Sequence, residues 1–333
     1  MFASLFQQKP EAFMRILSGV QPSGKLHIGN YFGAIRQYVA LQSEHDGFYF
    51  MANYHALTTV HDGPTLRQQT NEIAADFLAL GLDPARATIF RQSDIPEVCE
   101  LTWVLSCICP MGLLERCHAY KDKVQQGIPA EHGLFAYPVL MAADILIYGS
   151  DVVPVGKDQK QHVEVTRDIA LRFNNQYGEV FKIPEERIRE EVAVVPGLDG
   201  QKMSKSYGNT IELFGPEKET RKKFMRIVTD SKGVDDAKDP ATCSIFALHK
   251  LFATAAQSAD LAARYRAGGL AYGFAKQELY ELFMEQFAKF RQRREEILAD
   301  PGHVDAVLRD GAAKARATAE AMMGKVRQAV GLR

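Results

Sequence analysis

Ser18-Gly19-Val20-Gln21-Pro22-Ser23-Gly24-Lys25-Leu26-His27-Ile28-Gly29-Asn30-Tyr31-Phe32-Gly33 is the stretch around which the rest of the chain is organised. The β-branched and apolar run Arg15-Ile16-Leu17 ahead of it reads as the end of a strand, and the amphipathic run Tyr31 to Leu41 behind it as a helix. Between them three glycines and a proline keep the backbone irregular. A strand, a Gly-rich turn and a helix N-terminus together make an anion site, because backbone N–H groups point outward unsatisfied and the helix dipole adds partial positive charge. A polyphosphate is the natural ligand. Gly29 lets the backbone come close to it, with His27 and Asn30 at the rim. A glycine-rich turn carrying a surface histidine is the plainer alternative, since the stretch is neither G-x-G-x-x-G nor a G-K-S/T phosphate loop.

Far downstream, Gly200-Gln201-Lys202-Met203-Ser204-Lys205-Ser206 follows the loop Pro196-Gly197-Leu198-Asp199 and sets two lysines and two hydroxyls within five residues. Alone, such a run is usually a solvated cationic loop. Together, H-I-G-N and K-M-S-K-S, about 170 residues apart, resemble the two signatures of the class I aminoacyl-tRNA synthetases, where both grip ATP. G-V-Q-P-S-G-x-x-H-I-G-N-Y, Y-P-V-L-M-A-A-D-I-L, V-G-K-D-Q-K-Q-H and K-M-S-K-S, in this order, are similar to the bacterial tryptophanyl family of that class. The resemblance runs from Met14 to Arg333.

It implies an α/β fold, a Rossmann-like parallel sheet domain followed by an all-helical C-terminal domain. The implied activity joins L-tryptophan to tRNA(Trp) through a tryptophanyl-adenylate. Residue by residue, it implies that Gln21, Pro22, Ser23, Gly29 and Asn30 hold the nucleotide, with His27 near the phosphates. Lys123 would reach the same phosphates, Gly156, Lys157 and Asp158 the ribose, and Val194 or a neighbour the adenine. Lys202, Met203, Ser204, Lys205 and Ser206 would close on the departing pyrophosphate, aided by Mg²⁺ carried with ATP. Neither chemical step requires a protein nucleophile, so catalysis is expected from positioning and charge cancellation. The wider class has H-I-G-H where this chain has H-I-G-N, which weakens the case for an imidazole on ATP.

Composition agrees with an ordinary soluble protein: 333 residues, 46% hydrophobic and 24% charged. That length exceeds one core and suggests two domains. A net charge of −1 requires any nucleic-acid contact to use a local basic patch. The absence of an apolar run of membrane-spanning length, a signal peptide or a lipidation motif places the chain in the cytoplasm. Five cysteines, at 99, 107, 109, 117 and 243, form no disulfide framework and no metal-ligand spacing, so no metal site is expected. Some tryptophanyl enzymes hold an iron-sulfur cluster with four cysteines; only Cys243 resembles a member of that set, so no cluster is expected.

In chain order, residues 1–13 precede the family-like part and are assigned no function. Gly47 to Tyr54 reads as a buried strand, with His55 just beyond it at the end where parallel sheets collect ligands. It is either a pocket residue or a structural histidine. Pro64 to Gly81 reads as a helix, Ala87 to Gln92 as a strand, and Ile95 to Val124 as helix broken at Cys109–Gly112. Asp151 to Val155 and Val192 to Val195 complete the expected strands. Alternating strands and helices indicate a parallel sheet.

Ala136 to Tyr148 is apolar except for Asp144, which on a helix shares a face with Tyr137, Met141, Ile145 and Tyr148. A buried carboxylate needs a partner. An arginine or a backbone N–H is the default, whereas the resemblance implies the donor-only indole N–H of tryptophan, in a pocket walled by Tyr137, Met141, Ile145 and Val153 with Gln159 and His55 nearby.

From Leu213 onward only helices are indicated. The expected division is a catalytic domain over 14–206, an anticodon-binding helical domain over 207–303, and a terminal helix, 304–333, packing back on the first. Glu217 to Val228, with Lys289, Arg291, Arg293 and Arg294, offers basic faces for tRNA phosphates. A homodimer is implied by the resemblance, with neither membrane nor DNA as a partner. The alternatives are a tyrosyl-tRNA synthetase, against which Leu17 stands where a phenol-binding hydroxyl is needed, a superfamily adenylyltransferase that uses no tRNA, and a non-catalytic sensor of tryptophan or uncharged tRNA.

Overall fold

A computed structural model describes residues 13–117, 120–121, 131–154, 160–187 and 195–333. Five strands lie parallel in the order β3-β2-β1-β4-β5: β1 (Arg15–Val20), β2 (Asp46–Met51), β3 (Ala87–Arg91), β4 (Val152–Pro154) and β5 (Glu185–Arg187). The chain builds outward from β1 to β3, then returns to place β4 on the other side of β1. The reversal leaves a crevice at the C-terminal strand ends, where open α/β sheets bind ligands.

Successive side chains point to opposite faces of a strand. Phe48, Phe50 and Phe90 therefore enter one core, and Tyr49, Met51 and Ile89 the other. Over the Tyr49 face lie a short α1 (Ile28–Asn30), which continues through a π turn (Tyr31–Ile35) into α2 (Arg36–Leu41), and α4 (Gly63–Ala79). The short α3 (Asn53–Ala56) lies between β2 and α4. Helix thus begins at Ile28, three residues ahead of the amphipathic run. Over the Phe48 face lie α5 (Glu97–Ser106), α6 (Met111–Glu115), α7 (His132–Ile147) and α8 (Lys160–Tyr177).

Beyond the sheet come α9 (Glu217–Met225), α10 (Ser244–Phe252), α11 (Ala255–Ala267) and α12 (Tyr272–Ala299). Their aromatic faces continue the Tyr49-side core. Tyr31, next to H-I-G-N, meets Phe287 of α12 edge to face at 5.0 Å between ring centroids. Such a pair adds about 1 kcal/mol to the area it buries.

α13 (Pro301–Val330) runs along the edge strand β3 and serves both cores. Val304, Val307 and Leu308 join one core and Ala315, Ala319, Met323 and Val326 the other. Gly311 lies between these sets, where a β-carbon would fall 1.9 Å from the Ile89 carbonyl oxygen. Arg316–Glu97 and Arg327–Glu100 ion pairs tie the helix to α5. Among the described residues no helix is long and apolar enough to cross a membrane.

β5 has no counterpart in the sequence reading, because Glu185-Glu186-Arg187 shows no apolar run. Of the expected strand Val192 to Val195, residues 192–194 lie outside the described residues; Val195 is buried and bonds the lysine segment instead.

Candidate active site

Two strand ends and a helix bring together the residues around Asp144. β2 runs out into α3, carrying His55; β3 runs out into a 3₁₀ turn that begins at Gln92; α7 brings Asp144 beneath both. Asp144 is 2% exposed. Gln92 donates from Nε2 to both carboxylate oxygens, at 2.9 and 2.8 Å, and His55 Nε2 lies 2.9 Å from Oδ2. Among the described residues the bonds to Asp144 come from these two side chains and not from the default partners, an arginine or a backbone N–H. Gln92 is itself fixed, since its Oε1 accepts the Tyr54 N–H at 2.9 Å. A carboxylate offers roughly four lone-pair positions, and among the described residues the contacts of Asp144 supply two donors to Oδ2 and one to Oδ1.

Of the other residues expected to wall the pocket, Tyr137, Met141 and His55 are half-buried, while Ile145 and Val153 are buried. The Tyr137 hydroxyl lies 2.7 Å from His162 Nε2, and the His55 and Tyr137 rings are 6.3 Å apart. Gln21 reaches toward the same region from the β1 end, its amide 3.4 Å from the His55 carbonyl and 3.3 Å from Thr59 Oγ1. Pro22 beside it is buried and Ser23 exposed.

The two signature segments touch. Ile28 N–H donates to the Ile211 carbonyl and Leu213 N–H to the Leu26 carbonyl, so H-I-G-N pairs with the chain just past K-M-S-K-S. Lys205 Nζ donates to the Gly24 carbonyl at 2.9 Å. This pairing changes the expected helix terminus. His27 N–H goes to Asn30 Oδ1, Ile28 N–H to Ile211 and Asn30 N–H to His27, so three donors expected to face a ligand are already used. The Cβ side of Gly29 is filled by the His27 ring and Met203 rather than open to a ligand.

His27 is 5% exposed, and its pKa falls to about 4. Burial is the main cause and the Lys205 charge the second, against Glu212. At neutral pH the imidazole is therefore uncharged. Burial also lowers the Lys205 pKa, with Asp76 opposing. Asp76, buried on α4, pairs with Arg294 of α12, and its carboxyl is pushed up to about 6 by burial.

Lys202 and Ser206 are exposed, Ser204 half-buried and Met203 buried. Lys123, Gly156, Lys157, Asp158, Gln159 and Val194 lie outside the described residues. Two of the basic residues assigned to tRNA are turned inward. Both Arg291 amino groups donate to the Gly215 carbonyl, at 2.9 and 3.0 Å, and Arg294 holds Asp76. Charge runs do not reveal which side of a helix packs. Lys289 and Arg293 remain exposed. Gln92 was not found from sequence: it follows a strand, but its partner lies 52 positions away.

The chain matches the model for class I tRNA synthetases (W and Y) over residues 8–288. It is 54% identical over 320 residues to the tryptophan–tRNA ligase of Rhodopirellula baltica, covering 96% of this chain and 100% of the relative. The chain belongs to the class I tRNA synthetases. A Campylobacter jejuni tryptophan–tRNA ligase is 53% identical over 319 residues, again across 96% of this chain and the whole of the relative. The solved tryptophanyl-tRNA synthetase of that organism, complexed with ADP and tryptophan, superposes with a TM-score of 0.91 at 52% identity, covering 96% and 100% of the two chains. In this chain the H-I-G-N and K-M-S-K-S segments touch just past the C-terminal end of β1, and Asp144 is bonded by residues from just past the ends of β2 and β3.

Proposed function

We propose that the chain is a tryptophan–tRNA ligase. The carboxylate of L-tryptophan attacks the α-phosphorus of ATP in line and pyrophosphate leaves. A terminal adenosine hydroxyl of tRNA(Trp) then attacks the carbonyl of the tryptophanyl-adenylate, releasing AMP. The observation that supports the specificity is the buried carboxylate of Asp144, whose Oδ1 takes a single donor among the described residues, because an indole N–H is a donor with no acceptor. A ligand without that donor offers this oxygen no bond, and such sites discriminate by roughly 10⁴ to 10⁵.

Gln21, Pro22, Ser23, Gly29 and Asn30 hold the nucleotide in this reading, with Gly156, Lys157, Asp158 and Val194 completing its pocket. Lys123, Lys202 and Lys205 cancel charge on the phosphates, with Mg²⁺ arriving on ATP as part of the substrate. His27, uncharged at neutral pH, packs and orients rather than neutralises. Tyr137, Met141, Ile145, Val153, Gln159 and His55 complete the tryptophan pocket. The helices of 207–303 receive the anticodon arm through exposed residues such as Lys289 and Arg293, and the protein works in the cytoplasm as a homodimer. Exposed Trp103, Met111 and Leu171, on α5, α6 and α8, support a self-association face. Leu171 lies beside Leu113 in a shallow cleft of about 550 Å³.

The deciding experiment is ATP–pyrophosphate exchange with each of the twenty amino acids. Exchange is expected with tryptophan, and equal exchange with tyrosine or phenylalanine overturns the reading.

A further inference from the structure

The lysine segment is a small hairpin. Met203 N–H donates to the Val195 carbonyl, Gly197 N–H to the Gln201 carbonyl, and Pro196 bridges Lys202. Past the hairpin, Lys205–Tyr207 forms one 3₁₀ turn that ends on left-handed Gly208 at φ 63°. Two short pieces of irregular backbone thus carry the two lysines. Neither can hold the other in place.

Asn209 joins them. It is 3% exposed, although the hairpin turn around it is solvent-facing. Its Oδ1 accepts the Ser204 N–H at 2.8 Å. A backbone N–H can only donate, so this bond fixes which end of the amide is oxygen. The Nδ2 hydrogens then go to Asp199 Oδ1 at 2.7 Å, in the turn, and to the Lys202 carbonyl at 3.1 Å. The Asn209 backbone carbonyl also accepts the Leu198 N–H at 2.9 Å. One side chain therefore ties the turn, the backbone that bears Lys202 and the entry to the turn that bears Lys205. Gly197 makes room for it: a β-carbon there would sit 2.3 Å from Asn209 Nδ2.

We propose that Asn209 is a positioning residue for adenylation, holding Lys202 and Lys205 in one fixed relation so that both meet the charge developing on the departing pyrophosphate. This rests on the tryptophan–tRNA ligase reading. An aspartate at 209 keeps the acceptor for Ser204, loses both donated bonds, and faces two oxygens at short range. A misplacement of about 1 Å at a reacting centre costs roughly 10²-fold in rate.

The test is tryptophan-dependent ATP–pyrophosphate exchange by wild type, Asn209→Asp, Asn209→Ala and the double variant Asn209→Asp with Asp199→Asn, alongside each melting temperature. Expected is a 10- to 100-fold fall in kcat for both single variants, with KM for tryptophan within twofold. The double variant should recover at least a third of that loss on a logarithmic scale, because the amide introduced at position 199 can donate to the carboxylate introduced at position 209. Rapid trypsin cleavage after Lys202 in folded Asn209→Asp would show the loosened hairpin directly. Wild-type kcat in the single variants overturns the proposal, as does a loss confined to melting temperature. Failure of the wild type itself to exchange with tryptophan would instead overturn the functional reading.

Discussion

Between pH 6.5 and about 4, an unfolded chain binds a proton at residue 27 that the folded protein does not, because burial and Lys205 hold the native imidazole neutral. Where the unfolded state binds more protons, stability falls as pH falls. Over the whole window the effect is on the order of 3 kcal/mol. His27→Thr removes it. Urea unfolding at pH 7.5 and pH 4.5 should therefore show the variant gaining stability relative to wild type at the lower pH. Asp76 acts in the opposite sense, since its carboxyl is raised to about 6, but it is present in both proteins and cancels in the difference. An unchanged difference at the two pH values would show that the imidazole is not held neutral. His27 was visible in the sequence as part of a signature. Its protonation was not, because the burial that neutralises it, and the Lys205 and Glu212 charges that add to or oppose it, come from tertiary packing with chain about 180 residues away.

At the scale of elements, Gly311 and Gly324 separate packing from propensity within one helix. Both lie inside α13, yet a β-carbon at 311 would strike the β3 backbone, whereas at 324 it would meet nothing within 4 Å. Alanine is favoured over glycine in a helix interior by about 1 kcal/mol. Gly324→Ala should raise the melting temperature slightly. Gly311→Ala must move either a helix or an edge strand, an overpacking cost of about 1 to 3 kcal/mol, and should lower it by several degrees. Equal shifts of one sign would mean that α13 does not lie on β3 as closely as described. The strands β1 to β4 and the long helices were readable from periodicity. β5 was not, since its backbone pairs with β4 while its side chains are charged.

For the whole molecule, the exposed Trp103, Met111 and Leu171 lead to a test by mass. Light scattering should give twice the 37.1 kDa of one chain, and Trp103→Glu should shift the population toward one chain by desolvating a carboxylate in the contact. A wild type of single mass at micromolar concentration rules the dimer out. Motifs carry part of the candidate site: they point to both signatures and to Asp144, and the structure brings the signatures into contact and buries the carboxylate. What sequence could not supply was the supporting set. Gln92, Asn209 and the inward turns of Arg291 and Arg294 depend on which distant groups fall within hydrogen-bond reach, and an amide or a guanidinium looks the same in sequence whether it faces a partner or water.

The position of α13 has a consequence for how the protein is made. Every other segment of both cores leaves the ribosome before Val304 to Val326 can dock, so a nascent chain carries β3 with its outer edge bare. Unpaired strand edges recruit other strands. Translation that stalls or terminates shortly before α13 therefore yields a polypeptide that holds both signature segments and Asp144 but leaves the outer edge of β3 uncovered. Such a product carries both a bare strand edge and the apolar surface that α13 buries, the two features that drive association between copies.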